Sequence, residues 1–256
     1  MKRRSTGFLI APVVMAISLA ASTMTASGET LQSSSVESRV LLGFDVPDTA
    51  FAKFLPEGWK SVPFPKGPLA GADCVVSLVN RELETDADGK PMDPPQSRSV
   101  GMLTLASNGG PPRVMVFRVY SSKPGEGPYG NSVQAETGFE RMMSVDAAGA
   151  QKKSLAWRTV VPDGGAFEVS LDFTPGMAGW VNGEVKPFSS VKPESYRIYR
   201  YDRLIEVLSS ASLGKPLSGD VAVSVSIAEL AEMFDGSESI VAIMDVPVYV
   251  LKVSLP

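Results

Sequence analysis

The chain has 256 residues, with 24 basic and 28 acidic side chains and a formal net charge of −4. It contains no histidine. Histidine is the usual general base of Ser and Cys nucleophile sites and the commonest metal ligand, so most hydrolase and zinc-enzyme mechanisms are excluded. Beyond the first few residues Lys and Arg are not clustered, which excludes nucleic acid as an expected partner. We expect neither a metal nor a cofactor.

Residues 1–28 have the composition of an export signal. Three basic residues stand in the first four positions, residues 8–21 are mainly apolar, and small residues follow as far as Gly28. Because the apolar run is shorter than the ~20 residues that cross a bilayer, cleavage is favoured over a retained membrane anchor. The sequence therefore predicts a periplasmic or secreted protein, without stable membrane insertion, whose mature part is residues 29–256.

Most of the mature chain follows the two-residue period of β-strands, with Gly- and Pro-rich turns between the runs. The predicted strands are residues 40–44, 74–79, 100–106, 114–120, 155–161, 167–173, 196–208, 221–227 and 240–253. Two helices are predicted at residues 48–55 and 132–146, and a weaker helical turn at residues 228–234. Because no repeat or linker divides the chain, these elements predict a single β-rich α+β domain with a few packed helices.

Two carboxylates, Glu136 and Glu140, lie four residues apart on the second predicted helix, beside Arg141. At that spacing both side chains would share one helix face and could act as a paired general acid and general base. An exposed charged face is the more common use of this pattern. Both interpretations stay open at this point.

Four stretches give the chain its likeness to a known family. In chain order they are VPDTAFAKFLPEGW (46–59), FRVYSSKPGE (117–126), PESYRIYRYDRLIEVLSS (193–210) and SIVAIMDVPVYVLKVSL (239–255). The series resembles the acetoacetate decarboxylase superfamily over residues 40–255. The resemblance implies an antiparallel, barrel-like, β-rich fold around a largely apolar cavity that accepts small oxo acids or related carbonyl compounds.

In that superfamily a buried lysine forms a Schiff base with the substrate ketone, and the resemblance places it in a Pro-Lys-Lys motif after an arginine-containing strand. Here Arg118 and Pro124 match, but the two lysine positions hold Gly125 and Glu126. A family arginine suited to a substrate carboxylate is replaced by Asp45. The chain therefore resembles a divergent member that lacks the Schiff-base lysine and repels acids.

Our leading hypothesis is noncovalent binding of a small, largely apolar carbonyl-type metabolite in the cavity that the resemblance implies. Arg118 and Tyr120 are the candidate polar anchors, and Phe44 and Asp45 are further candidate ligand-binding residues. Arg118 could instead form an ion pair at the mouth of the barrel. A small-molecule ligand is the expected partner, and self-association into a homo-oligomer is compatible with the sequence.

The alternative is an active lyase of decarboxylase, aldolase or hydratase type that acts on a small oxo compound. Its candidate catalytic residues are Lys123, immediately before Pro124, and the pair Glu136 and Glu140. Against Lys123, a nearby carboxylate such as Glu126 stabilises the ammonium form, which is not nucleophilic. A third hypothesis is a scaffold or envelope accessory protein whose interior is filled with side chains.

Overall fold

The structure, a computed structural model, describes residues 28–176 and 178–256, and the predicted export signal lies outside this range except for Gly28. Within the described part, no helix has the length and apolar character needed to cross a membrane. Most of the described chain is β-strand. The strands are β1 (Thr30–Asp45), β2 (Lys60–Val62), β3 (Cys74–Asp86), β4 (Ser97–Ser107), β5 (Arg113–Ser121), β6 (Ser132–Gln134), β7 (Glu136–Val145), β8 (Gln151–Val160), β9 (Ala166–Phe173), β10 (Gly179–Val185), β11 (Phe188–Ser189), β12 (Ile198–Ser210), β13 (Gly219–Val225) and β14 (Ser239–Leu255).

These strands form two sheets. The large sheet has the order β10-β12-β14-β1-β3-β4-β5-β11, with β2 beside β4 and β6 beside β5, and the small sheet has the order β13-β9-β8-β7. Pairing is antiparallel except where β5 meets β6 and β11. Strand β1 lies between β14 and β3, so the first and last strands are hydrogen-bonded neighbours in the middle of the large sheet.

The main hydrophobic core fills the space between the two sheets. Strand β8 shows why the sequence folds this way, because Leu155, Trp157 and Thr159 are buried while the residues between them are exposed. The large sheet supplies the opposite wall of the core, including Leu42, Val76, Met102 and Phe117. Alternating side chains therefore join the sheets face to face, as the two-residue period predicts.

One end of this core is covered by two short 3-10 helices, Asp48–Phe51 and Ala228–Leu230, with the residues that follow them. Phe51 packs edge-on against Phe117, with ring centroids 5.6 Å apart. Phe234 packs edge-on against Phe44 at 5.3 Å. Aromatic contacts of this geometry add to the stabilisation from area burial. We call these two segments, residues 48–55 and 228–234, the end cap.

The opposite face of the large sheet is also partly buried. Val246, Tyr249 and Leu251 of β14 form a second apolar cluster there, and the carboxylate of Glu37 on β1 is buried on the same strand pair. The guanidinium of Arg39 lies 4.0 Å from the ring centroid of Tyr249, within the range of a cation–π contact. The large sheet therefore has one face buried against the small sheet and a second, partly buried face that carries charged groups.

The prediction of a barrel-like domain is corrected by the sheets, because neither of them closes on itself. The large sheet ends at β11, which has only two residues. The backbone N–H groups of Ser189 and Arg197 donate to Ser195 O and Pro187 O, at 2.9 and 3.1 Å, and connect β11 to the segment that leads into β12. These two hydrogen bonds join too few residues to close the sheet into a barrel.

The predicted packed helices are also wrong. Residues 132–146 form β6 and β7, and β7 pairs with β8 along its whole length, from Glu136 opposite Val160 to Val145 opposite Gln151. The predicted helix at 48–55 is reduced to one 3-10 turn, and so is the weaker one at 228–234. In residues 132–146 the ladder of hydrogen bonds with β8 outweighs helix propensity.

Candidate functional site

Arg118 and Tyr120, the two predicted polar anchors, lie two residues apart on β5 and share one partner. Arg118 Nη2 donates to Glu229 Oε2 at 2.6 Å, and the Tyr120 hydroxyl donates to Glu229 Oε1 at 2.6 Å. Glu229 belongs to the end cap. Burial raises the pKa of Tyr120 far above its usual range, and the Glu229 carboxylate adds to the shift. The Tyr120 hydroxyl is therefore a fixed donor and not a base.

Lys123, the candidate nucleophile, lies in a different environment. It is three residues beyond Tyr120, and its ammonium hydrogen-bonds to the carboxylate of Glu84 on β3. Arg81 Nη1 approaches the same Glu84 oxygen at 3.4 Å. The Lys123 side chain is 24% exposed and that of Glu84 is 15% exposed. The amine is therefore held in a partly buried ion pair and does not reach the Arg118 site.

Next to this pair is a second, deeper group of charges, centred on Glu37 of β1. Glu37 accepts hydrogen bonds from Ser35 Oγ at 2.7 Å, Arg39 Nε at 2.7 Å and Arg81 Nε at 2.8 Å. Burial alone would raise the pKa of Glu37, but the two guanidinium charges and these hydrogen bonds lower it to about 2. We call Glu37, Arg39, Arg81, Glu84 and Lys123 the charged cluster.

A pocket of about 520 Å³ opens beside the positions where the resemblance places the family's lysines. Its walls come from residues 126–130, residues 192–197, Ser189 and the C-terminal Leu255 and Pro256. Its volume lies in the range of small-molecule sites, roughly 300–1,000 Å³. We call it the Tyr129 pocket, after the buried tyrosine in its wall.

Charged side chains of both signs line the Tyr129 pocket. Lys192 and Arg197 are its cations, and Glu126 and Glu194 are its carboxylates. Among the ion pairs of the described residues, none involves any of these four side chains. Lys192, Glu126 and Glu194 are exposed and open to water or to a ligand, whereas Arg197 is half-buried and its Nε is buried without a hydrogen bond to the described residues. The Tyr129 hydroxyl donates to the Tyr199 hydroxyl at 2.7 Å, which connects the pocket wall to strand β12.

Phe44 and Asp45, the remaining predicted ligand contacts, lie at the end of β1. Phe44 is fully buried in the main core against Phe234. Asp45 is exposed and lies beside Asp73, which is 4% exposed. Burial raises the pKa of Asp73 to about 6, and the neighbouring carboxylate of Asp45 adds to the shift. Neither Phe44 nor Asp45 lines the Tyr129 pocket.

Glu136 and Glu140, the predicted acid and base pair, are on β7 and not on a helix. Both are exposed on the outer side of the small sheet. Four residues along an extended strand span about 13 Å. That separation is larger than paired catalytic carboxylates use across a substrate bond, which is at most ~9.5 Å even when a water lies between them.

The structure therefore brings Arg118 and Tyr120 together but places Lys123, Asp45 and the Glu136/Glu140 pair elsewhere. Sequence reasoning missed Glu229, which lies 111 residues beyond Arg118, and Glu84, which lies 39 residues before Lys123. The only signal in the sequence was the two-residue spacing of Arg118 and Tyr120, which predicts side chains on one face of a strand.

No protein-family model matches the sequence, and no curated protein matches it. Solved structures do. The enduracididine biosynthesis enzyme MppR, with HEPES buffer bound, matches with a TM-score of 0.53 and 12% identity, over 88% of this chain and 86% of MppR. An acetoacetate decarboxylase-like enzyme from Sphingomonas wittichii RW1 matches with a TM-score of 0.51 and 10% identity, over 89% and 93% of the two chains.

The chain has the acetoacetate-decarboxylase-like fold. A second MppR structure, complexed with the condensation product of pyruvate and imidazole 4-carboxaldehyde, supports this with a TM-score of 0.50 and 12% identity, over 97% and 96% of the two chains. The β-rich fold of this superfamily, predicted from the four sequence stretches, is thus confirmed, but the closed barrel and the packed helices are not. At these identities the likeness extends to the fold alone and assigns no role to any residue of this chain.

The raised pKa of Asp73 predicts that the stability of this acetoacetate-decarboxylase-like fold depends on pH. Because its pKa is raised, protonated Asp73 stabilises the folded state fully below pH ~4, and this contribution is lost as the pH rises through about 6. We expect Asp73→Asn and the parent to have equal free energies of unfolding at pH 4. At pH 8 the free energy of unfolding of Asp73→Asn should be higher by about 1–2 kcal/mol, a value that allows for solvent screening.

Urea unfolding of both proteins between pH 4 and pH 8 measures this effect. Asp88→Asn, in an exposed loop, is the matched control and should change stability equally at every pH. If Asp73→Asn and the parent lost stability in parallel across this range, the assignment of the shift to Asp73 would be wrong.

Proposed function

We propose that this protein binds a small carbonyl compound in the Tyr129 pocket without forming a Schiff base. The observation that carries the proposal is the coincidence of two features. A pocket of ligand size adjoins residues 125 and 126, and those positions hold Gly125 and Glu126 where the resemblance expects lysines. The lysines that the resemblance expects at these two positions are replaced, while space for a ligand adjoins them.

The lining of the pocket indicates the chemistry of the ligand. Arg197 and Lys192 can donate hydrogen bonds to a carbonyl or carboxylate oxygen, and the exposed Glu126 and Glu194 can accept from a hydroxyl or an amine. We therefore propose a carbonyl compound that carries at least one further polar group. The largely apolar metabolite of our leading sequence hypothesis would displace water from these charges without replacing its hydrogen bonds.

Binding can be tested with pyruvate, acetoacetate and acetone as probes, by saturation-transfer NMR followed by calorimetry. We expect at least one oxo compound to bind, and Arg197→Gln to weaken its binding by about 10- to 100-fold, because a charge-assisted hydrogen bond is lost. Arg158→Gln, on the exposed surface of β8, is the matched control and should bind like the parent. Failure of every probe to bind the parent protein would contradict the proposal.

A second candidate function is an active lyase that uses Lys123. The observation that favours it is the partial burial of Lys123 beside the carboxylate of Glu84, which could accept the ammonium proton, with Arg81 as a second nearby cation. Against it, the ion pair with Glu84 stabilises the protonated amine, which cannot attack a carbonyl. We therefore propose binding ahead of lyase activity.

Borohydride reduction in the presence of the same three probes separates the two functions. We expect no covalent adduct on Lys123. Peptide mapping by mass spectrometry is essential, because Lys192 is an amine in the pocket itself and could react with a bound aldehyde or ketone. An adduct on Lys123 that Lys123→Met abolishes, while Lys152→Met on the exposed surface does not, would establish the lyase route.

We further propose that the protein is exported and that its mature form begins near Gly28. The basis is the basic, then apolar, then small-residue order of residues 1–28. Mass spectrometry of the protein from the periplasmic fraction of an expressing bacterium should give a mass that corresponds to residues 29–256 or a neighbouring start. An intact N-terminus in the membrane fraction would contradict export with cleavage.

A further inference from the structure

We propose that Arg118 and Tyr120 form a binding subsite for a small carboxylate, and that Glu229 is a built-in competitor that occupies this subsite. The proposal does not depend on the Tyr129 pocket, whose lining includes none of these three residues. In this proposal the end cap covers the main core and also controls access to a carboxylate site through Glu229.

The hydrogen bonds of Glu229 are those of a bound carboxylate. Each of its oxygens has its own donor, the Tyr120 hydroxyl on Oε1 and Arg118 Nη2 on Oε2, both at 2.6 Å. Short contacts of this kind are the stronger hydrogen bonds that charged groups make. A free carboxylate placed on the same two donors would satisfy them equally well.

The donors are held in place without help from Glu229. Tyr120 is completely buried, and the Arg118 side chain is 22% exposed. Arg118 Nη1 donates to Asn131 O at 3.2 Å, and the buried Asn131 side chain donates in turn to Val116 O at 2.7 Å. The guanidinium also lies over the ring of Phe54, 5.8 Å from its centroid. A subsite with donors fixed in this way loses little conformational entropy when it binds an anion.

Arg118 has a further donor that the Glu229 contact does not use. Its Nε is buried and makes no hydrogen bond with the described residues. Leaving a buried charged donor without a partner is costly. An incoming ligand with an additional oxygen could satisfy this group, whereas the Glu229 carboxylate is already engaged with Nη2 and the tyrosine hydroxyl.

Glu229 can leave the subsite without unfolding the end cap. Its side chain is 33% exposed, so rotation about its own side-chain bonds can carry the carboxylate into water. The segment itself is anchored by Leu230 and Met233, which are 0% and 1% exposed. Since burial of these two residues holds the backbone, displacement of Glu229 costs a rotamer change and not the loss of core contacts.

The proposal can be tested with sodium propionate as the probe and sodium chloride at equal ionic strength as the reference. Glu229→Ala frees the subsite, so we expect its dissociation constant for propionate to be at least about tenfold lower than that of the parent, since an internal competitor is removed. Propionate, but not chloride, should raise the melting temperature of Glu229→Ala. Adding Tyr120→Phe to Glu229→Ala should reverse most of this gain.

Glu232→Ala is the matched control, because Glu232 lies on the same segment and pairs with Lys53 at 3.3 Å on the surface. It should show no response to propionate beyond that of the parent. If Glu229→Ala does not fold in chloride, its refolding in propionate and the binding of propionate to the isosteric Glu229→Gln replace the affinity measurement. The proposal is overturned if propionate has no more effect than chloride on either Glu229 variant, or if Glu232→Ala responds equally.

Failure here and failure of the proposed function are distinguishable. Loss of the propionate effect would leave carbonyl binding in the Tyr129 pocket intact, because Arg197→Gln tests that pocket and not this subsite. A purely structural role for the Arg118–Glu229 pair predicts only that Glu229→Ala is less stable in every salt. Carboxylate-specific recovery of stability separates the two roles.

Discussion

Replacing Glu37 by Gln is expected to lower the free energy of unfolding at pH 7 by about 3–5 kcal/mol. The Glu37 side chain is fully buried, and it is the shared partner of Arg39 and Arg81. Without its charge, two guanidinium groups remain in a poorly solvated part of the large sheet with no buried counter-ion between them. A buried charge that loses its partner costs far more than the pair contributed.

The size of this effect should depend on pH in a defined direction. Because the pKa of Glu37 is lowered to about 2 in the folded state, its ionised form stabilises the protein fully above its ordinary value near 4.5, and the contribution is lost as the pH falls towards 2. The difference between Glu37→Gln and the parent should therefore be largest above pH 5 and smaller at pH 3.

Chemical denaturation of Glu37→Gln, the parent and a control variant at pH 7 and pH 3 would measure this difference. Glu168→Gln removes one partner of an ion pair whose side chains are 62% and 45% exposed, so its cost should be below about 1 kcal/mol at both pH values. If Glu37→Gln lowered the free energy of unfolding by no more than Glu168→Gln does, the charged cluster would have to be well solvated, which would contradict the prediction.

The second large effect is expected for Gly219→Ala, with a loss of about 3 kcal/mol or more in the free energy of unfolding. Gly219 begins β13 with a φ of +144°, a conformation that L-residues rarely adopt. A Cβ atom at this position would lie 1.9 Å from the carbonyl oxygen of Asp172 on β9. Since the atoms that the Cβ would meet belong to the backbone of β9, relief requires β13 to shift away from β9.

Gly101→Ala is the matched control for the glycine substitution. Gly101 is also in a strand, its φ is ordinary, and an added Cβ would lie 4.0 Å from Ser77 O. We expect it to change stability by less than about 1 kcal/mol. Equal melting temperatures for Gly219→Ala and Gly101→Ala would show that β13 can move without cost and would contradict the expected constraint.

The strands were predictable because their pattern is local. The buried Leu155 and Trp157 alternate with less buried residues on β8, and Arg118 and Tyr120 share a face of β5, so a two-residue period places them correctly. The helix prediction for residues 132–146 was wrong for a physical reason. Its apolar residues Met142 and Met143 are both exposed near the end of β7, so burial does not produce the alternation that a strand prediction needs.

The partners within the candidate sites could not be predicted in the same way. Glu229 meets Arg118, and Glu84 meets Lys123, only because non-local strand pairing and the end cap bring distant parts of the chain together. A single sequence carries no periodic signal for such contacts. The residue types indicated which side chains could bind an anion or act as a nucleophile. Only the three-dimensional structure shows which carboxylate pairs with Arg118 and which with Lys123.

The position of β14 beside β1 has a consequence for how the chain acquires its structure. Ribosomal synthesis delivers β1 roughly two hundred residues before the partner to which it bonds. Until the final strand arrives, the middle of the large sheet has an unsatisfied edge of backbone donors and acceptors, which is prone to aggregate. Native topology can therefore form only after β14 has been synthesised and, with so many distant pairings, slowly.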